Sequence, residues 1–283
     1  MYYIKSFDPW KSNLCTCPEK YSFNPYTGCD HKCIYCYSTS YIPNFYNLRL
    51  KKDLIKKVRA DIKKIPRDSL ISISNTSDPY PKIEAQLGLT RKSLEIFKEM
   101  GFRVLIITKG TIVTRDADLL GDMKAAVTIT ITTLTQETCK KLEPSAPLPE
   151  DRINALKILS DANVPLGIRL DPVFPFINEK EIGEIVYRVS DYADHIVSST
   201  FKPRYDSLKR FNNAFPDFAR IQDLFLKKGR VYYLAKDIRR ELMLKVRDAC
   251  NDYGLTFASC REGFNDLNTA KTCDGSHLID SVD

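Results

Sequence analysis

Three cysteines at spacings of four and three lie in the segment Asn24-Pro-Tyr-Thr-Gly-Cys29-Asp-His-Lys-Cys33-Ile-Tyr-Cys36-Tyr37. The Gly and Pro beside them mark a loop. Thiolates are soft metal ligands, and a loop of this kind can wrap one corner of an iron–sulfur cubane and bind three of its irons. Such clusters ordinarily take four cysteines. With Cys29, Cys33 and Cys36 alone, one iron stays open, and an open metal position is where a substrate or cofactor binds. The alternatives are a structural zinc ion or unligated buried thiols. Zinc loops favour two ligand pairs with a longer insert, whereas the nearest fourth candidate here, His31, sits inside the loop between the first two cysteines.

A second constellation closes the sequence: Cys250-x9-Cys260-x12-Cys273, followed by Asp274-Gly-Ser-His277. Three cysteines with one outside ligand could hold an auxiliary iron–sulfur cluster, or zinc. Cys15 or Cys17 supplies that ligand if the N-terminal arm folds back over the tail; His277 or the substrate are the other candidates. The plainer reading makes Cys250 a core residue on the apolar side of a helix and the others incidental. Cys139 stands alone among helical surroundings, as a half-buried helix residue, and no residue is assigned as catalytic. Nine cysteines so grouped point to metal or catalysis before disulfides, because the start of the chain carries no secretion signal and a cytoplasmic location is expected.

Elements must position these loops. Strand-like runs rich in β-branched residues cover residues 70–74, 103–108, 127–132, 164–170 and 194–199, with an earlier one near 21–23. Between them, 54–62 places Leu54, Ile55, Val58 and Ile62 on one helical face, and similar patterns cover 90–100, 150–161 and 179–192. Repeated strand–helix–strand order means parallel βαβ units with right-handed crossovers, and about six fit before residue 205. The expected fold is α/β, a partial (β/α)6 TIM-like barrel, whose chemistry belongs at the C-terminal ends of the strands. The expected organisation is an N-terminal arm over 1–20, the barrel over 21–205, and a short cysteine-containing C-terminal extension over 206–283. That extension is basic and holds a helix at 242–253 and a strand at 255–258.

The chain has 283 residues, with 14 Phe, 15 Tyr and one Trp, which excludes disorder. No apolar run approaches the length of a membrane helix. Lys plus Arg exceed Asp plus Glu by 43 to 36, a formal charge of +7. That suits a DNA or RNA partner and suits a lysine-rich solvated surface equally well.

Cys29-x3-Cys33-x2-Cys36, with aromatic Tyr35 before the last cysteine, resembles the signature of the radical S-adenosylmethionine (SAM) superfamily. The resemblance implies a 4Fe–4S cluster on the three cysteines and SAM on its open iron. Cleavage of SAM to methionine and a 5′-deoxyadenosyl radical, which abstracts hydrogen from substrate, would follow reduction by a flavodoxin- or ferredoxin-type donor. Further motifs resemble the spore photoproduct lyase-like branch, often called DNA repair photolyases. They are Ser74-Asn-Thr-Ser-Asp78-Pro-Tyr-Pro-x-Ile-Glu84 with Leu89-Thr-Arg91, Thr108-Lys-Gly110 with Arg115-Asp116, Ile131-Thr-Thr133 with Leu142-Glu-Pro144, and Arg169-Leu-Asp-Pro172 with Phe174-Pro175. By this resemblance Tyr35 would flank the adenine, and Ser74, Asn75 and Thr76 would contact the SAM amino group. Thr132 and Thr133 would meet the ribose and Arg169 the carboxylate. Asp78 and Asp171 would be SAM contacts, substrate contacts or strand-end caps.

The pattern departs in one place. Spore photoproduct lyase uses a hydrogen-donating cysteine a few dozen residues beyond its cluster loop, and no cysteine lies between Cys36 and Cys139 here. That speaks against thymine-dimer repair. The expected function is hydrogen abstraction by a SAM-derived radical, on a nucleic acid or nucleobase derivative. The alternatives are a small-molecule or peptide substrate, or a zinc-stabilised, non-enzymatic nucleic-acid-binding protein.

Overall fold

The computed structural model describes residues 2–7 and 14–281, so part of the expected arm, residues 8–13, lies outside the described residues. One eight-stranded sheet organises the rest. Its strands are β1 (Ile4–Ser6), β2 (Tyr21–Phe23), β3 (Leu70–Ile73), β4 (Arg103–Thr108), β5 (Ala125–Thr130), β6 (Leu166–Val173), β7 (His195–Thr200) and β8 (Thr256–Ser259), side by side in chain order. From β2 to β8 all neighbours are parallel, and only β1 runs antiparallel, on the edge of β2. Helices α1 (Leu54–Ile62), α2 (Leu89–Glu99), α3 (Ala117–Gly121), α4 (Gln136–Leu142), α5 (Pro149–Asp161), α6 (Ile182–Val189), α7 (Tyr205–Ala214) and α8 (Lys236–Asp252) form the crossovers. The sheet does not stop at residue 205: β8 pairs with β7 and carries Cys260 to the same end as the other strand-end loops.

Because side chains alternate along a strand, each face has its own composition. Ile71, Ile73, Val104, Ile106, Val127 and Ile129 point outward into one core with the helices, where Val58, Phe97, Leu156 and Val189 meet them. The inner face is smaller and more polar. At its lower end Leu70, Leu105 and Ala126 pack against Leu278 and Ile279, so the segment after Gly275 plugs the inside of the barrel. Gly167 lies beside it, where a Cβ would stand 3.2 Å from Thr128 Oγ1 and in ordinary contact, 3.7 Å, with Leu278. Further up, the face that carries Ser72, Thr130, Arg169 and Ser199 leads to the C-terminal mouth.

A buried ion pair between Lys20, just before β2, and Asp274 ties the two ends of the described chain together, with 2% and 4% of the side chains exposed. Among the described residues, no helix is long and apolar enough to cross a membrane.

Candidate active site

The loop bearing Cys29, Cys33 and Cys36 leaves the end of β2 and is held by its backbone. Cys29 N donates to the Phe45 carbonyl at 2.8 Å and Ile34 N to the Leu142 carbonyl at 2.9 Å. Tyr46 donates its hydroxyl to the Cys33 carbonyl at 2.7 Å. Arg210, on α7, reaches the carbonyls of Ile34 (3.1 Å) and Cys36 (3.4 Å). Gly28 is required beside this anchor. Its φ is +85°, and a Cβ would lie 2.6 Å from the carbonyl oxygens of Asn47 and Phe45. Gly28→Ala should therefore cost about 1–3 kcal/mol of stability and loosen Cys29. The checks are a urea melt and iron retained per chain, and an unchanged melt would show that the loop tolerates the side chain.

The backbone anchors leave the three thiols facing a common space. Cys29 and Cys36 both act electrostatically on Cys33, and none of the three is in a disulfide. Burial pushes the Cys33 thiol well above its ordinary value, while Lys109 opposes the shift. Among the described residues, no three His, Cys, Asp or Glu side chains surround one point at the range a single ion needs. Three thiols on one loop suit a cluster that spreads its ligands over different irons. His31 turns away: its Nδ1 stands 3.5 Å from Asp78 Oδ2.

Behind the loop lies a charged network that no single motif announces. The Tyr35 hydroxyl donates to Glu143, and Thr132 Oγ1 donates to the same carboxylate oxygen at 2.7 Å. Arg152, 1% exposed, forms an ion pair with Glu143, and Lys109 Nζ approaches it at 3.8 Å. Burial alone would raise the Glu143 carboxyl. Arg152, Lys109 and the two hydroxyls outweigh it and hold the group down at about 2. Lys109 Nζ also lies 5.7 Å from the centre of the Tyr35 ring, whose edge meets Phe174. Lys109 and Glu143 belong to the Thr108-Lys-Gly110 and Leu142-Glu-Pro144 motifs; Arg152 lies in α5, where an arginine reads as solvated.

The remaining strand-end residues gather around the mouth. Ser74 has φ +78° and donates to the Ser77 carbonyl at 2.7 Å. Asn75 donates to Ser22 Oγ at 2.8 Å, and its own carbonyl accepts the Tyr37 hydroxyl at 2.8 Å. Thr76 donates both N–H and Oγ1 to Asn24 Oδ1 at 3.1 Å, joining the loops after β2 and β3. Asp78 accepts from Tyr80 N (2.9 Å), Thr108 Oγ1 (2.7 Å) and Lys109 N (2.8 Å), so it caps the loops after β3 and β4. Thr133 Oγ1 donates to both oxygens of Glu181 at 2.8 Å. Arg169 Nε donates to Asp171 at 3.0 Å, Asp171 accepts from Ser199 Oγ, and Arg169 Nη2 lies 3.5 Å from Cys260 Sγ.

The other cysteines divide into two groups. Cys15, Cys17, Cys260 and Cys273 approach one another above the mouth, with Cys17 and Cys273 Sγ atoms 3.5 Å apart. Cys250 is not with them. It is fully buried on α8 in the core with Leu242, Val246 and Phe257, and burial alone pushes its thiol up to about 12. His277 also stays apart, with Nδ1 2.8 Å from Thr272 Oγ1 and its ring against His195 in the plug. Cys139 is buried on α4, 3.9 Å from Glu143 and 3.6 Å from Arg152 Nη2.

A family model described as the radical SAM superfamily matches residues 23–188. The chain is 32% identical over 171 residues to an uncharacterized protein of Methanocaldococcus jannaschii, covering 58% of this chain and 65% of that one. It is 29% identical over 174 residues to an uncharacterized protein of Acidianus two-tailed virus, covering 56% and 57%. The match thus spans less than two thirds of either relative. Spore photoproduct lyase complexed with dinucleoside spore photoproduct shares the fold with a TM-score of 0.68 at 17% identity, over 84% of this chain and 76% of that one. Streptococcus suis SuiB bound to S-adenosylmethionine does so with 0.60 at 17% identity, over 88% and 53%.

Proposed function

The chain belongs to the radical SAM superfamily and is an enzyme of that family, and on that premise we propose that Cys29, Cys33 and Cys36 hold its 4Fe–4S cluster and that its substrate is a nucleic acid or nucleobase derivative. The observation that supports the cluster assignment is the single loop that brings three buried thiols within electrostatic reach of one another, with Lys109 acting on Cys33 and Cys36. Held by Cys29, Cys33 and Cys36 and reduced by a flavodoxin- or ferredoxin-type donor, the cluster with bound SAM would supply the radical chemistry for hydrogen abstraction from substrate. An enzyme replaces the reading of a zinc-stabilised binding protein.

The chain's own residues bind and orient. Lys109 keeps positive charge beside Cys33, which favours the ligating thiolate. Tyr35, fixed by Glu143 and Phe174, would present its ring to the adenine. Ser74, Asn75 and Thr76 would meet the SAM amino group. Thr132 donates to Glu143, and Thr133 donates to Glu181 while accepting from Thr135 N, so each would have a lone pair left to accept from a ribose hydroxyl. Arg169, with Asp171 beside it, would take the SAM carboxylate on its forked donors. Asp78 is assigned to the cap that its three bonds describe. Arg169→Lys keeps the charge and loses the fork, so SAM binding should weaken about 10- to 100-fold, the worth of one charge-assisted hydrogen bond. Equilibrium binding to the reconstituted chain measures this, and an unchanged affinity would remove Arg169 from the site.

Support for a nucleobase comes from the rim. Tyr37 and Tyr41 follow the cluster loop with ring centres 6.0 Å apart, and the Arg204 guanidinium lies 5.7 Å from the Tyr41 ring. Tyr205 beside it is 75% exposed. Aromatic faces with arginine form a stacking platform for bases, and the fold is shared with a lyase whose complex holds a dinucleoside. The deciding experiment is anaerobic reconstitution, dithionite reduction and SAM cleavage with deuterated oligonucleotides. Deuterium in the deoxyadenosine supports the proposal. Deuterium that transfers only from a labelled peptide or small molecule would replace the substrate class, and no deoxyadenosine at all would overturn the cluster assignment.

A further inference from the structure

We propose that Cys15, Cys17, Cys260 and Cys273 form a second metal-binding site, a four-thiolate site for a soft metal centre, built where the N-terminal arm crosses the tail above the mouth of the barrel. The ligand set differs from the one the tail spacing suggests, because Cys250 is in the core and the arm contributes two thiols.

The convergence is built by contacts other than the cysteines themselves. Lys20 pairs with buried Asp274, which fixes the arm three residues from Cys17 against the residue next to Cys273. Leu14 packs on the loop after β8, with its Cδ2 3.1 Å from where a Gly263 Cβ would stand. Cys260 follows β8 directly, and its N–H donates to the Ser198 carbonyl at 2.7 Å. The thiols then meet: Cys17 and Cys273 at 3.5 Å, Cys15 in a thiol hydrogen bond with Cys17, and Cys260 within electrostatic reach of Cys15, Cys17 and Cys273. As placed, no three of these sulfurs surround one point at the range of a single ion, so metal binding would draw the side chains inward from the positions that the backbone anchors set.

The surroundings favour a ligated, negatively charged sulfur set. Arg169 Nη2 lies 3.5 Å from Cys260 Sγ, Lys202 Nζ is 3.4 Å from the Cys260 carbonyl, and Lys20 acts on Cys17 and Cys273. Each of these cations is shared with a carboxylate, Lys20 with Asp274, Arg169 with Asp171 and Lys202 with Glu262, so they offset only part of the charge that metal binding leaves on the sulfurs. Arg169 also lies within electrostatic reach of Tyr37, next to Cys36, so the second site is one side chain away from the first. Four thiolates suit an iron–sulfur cluster or a zinc ion.

The test uses the full chain with Cys29→Ala, Cys33→Ala and Cys36→Ala together, which leaves the second set alone and makes the result independent of the radical chemistry. Anaerobic reconstitution with iron and sulfide in one arm, and zinc in the other, is followed by metal counting after desalting. The expected result is a brown chain with about four irons, or about one zinc, per molecule. Adding Cys17→Ser or Cys260→Ser should lower the retained metal at least tenfold, and adding Cys250→Ser should not change it. No retained metal in either arm, or equal loss with Cys250→Ser, would overturn the site. A second measurement needs no substitution in the set: alkylation of the otherwise native chain, read by mass spectrometry. Metal loading should protect Cys15, Cys17, Cys260 and Cys273, and unchanged labelling of these four would also overturn the proposal.

Discussion

Cys33→Ala should leave the reconstituted chain without detectable deoxyadenosine and with most of its brown colour gone. Cys33 is the most buried of the three loop cysteines, 9% exposed, and lies within electrostatic reach of Lys109 and Glu143. Its carbonyl carries the Tyr46 hydrogen bond, and the alanine backbone preserves that bond, so the loop keeps its anchors while one sulfur is removed. Loss of even an outer partner of a metal ligand costs about ten- to a hundredfold in affinity or activity. Loss of the ligand itself should exceed about a hundredfold. Iron counting and far-ultraviolet circular dichroism separate a lost cluster from a lost fold. Cys139→Ala is the companion, and it should leave iron and SAM cleavage unchanged. Cleavage at the original rate in Cys33→Ala would refute the loop assignment.

Glu143→Gln should lower stability by about 3–5 kcal/mol, the range for removing one partner of a buried ion pair. Arg152 would keep its charge in a site where only 1% of its side chain meets solvent, with no carboxylate opposite. The double variant Glu143→Gln/Arg152→Met removes both charges and should recover much of the loss, because the cost lies in the orphaned cation. Urea midpoints measure all three chains, and a single variant with an unchanged midpoint would sink the account. The pH dependence follows with a definite sign. The folded carboxyl sits at about 2 against an ordinary 4.5, so its stabilisation is present above about pH 4.5 and is lost as pH falls from there to about 2. In Glu143→Gln this part of the acid limb should be absent.

The regular elements were legible because their signals are local. A run of β-branched residues bounded β4 to the residue, the apolar spacing in 54–62 bounded α1 likewise, and β2, which has no β-branched residue, was placed only as a strand near 21–23. β5 was displaced by two residues, because Thr132 continues the alternation after the strand has ended at Thr130. β1 left no readable signal: it is three residues long, and Lys5 interrupts it. The strand in the tail was visible within a residue, but not that it completes the parallel sheet beside β7, since pairing partners are set by packing. The cysteine loop could be read as a candidate metal site from spacing alone. Its supporting charges could not: Arg152 looks like any helix arginine until the turn before α5 brings Glu143 beneath it. The same limit governs the tail, where the four-residue set depends on an arm folding across 256 residues of sequence separation.

The plug inside the barrel and the Lys20–Asp274 pair have a kinetic side. Neighbouring strands of the sheet meet through crossovers of a few dozen residues in most cases, whereas this ion pair joins positions 254 residues apart. Closing so long a loop is unfavourable until the chain between is already ordered, and far less so afterwards. The βα units should therefore assemble first, with the inner face around Leu70, Leu105 and Ala126 still wet, and Leu278 and Ile279 should seat last. In the reverse direction, withdrawal of the plug is an opening that leaves the strand ladder intact, and amides after Gly275 should exchange with solvent long before those of β4 and β5.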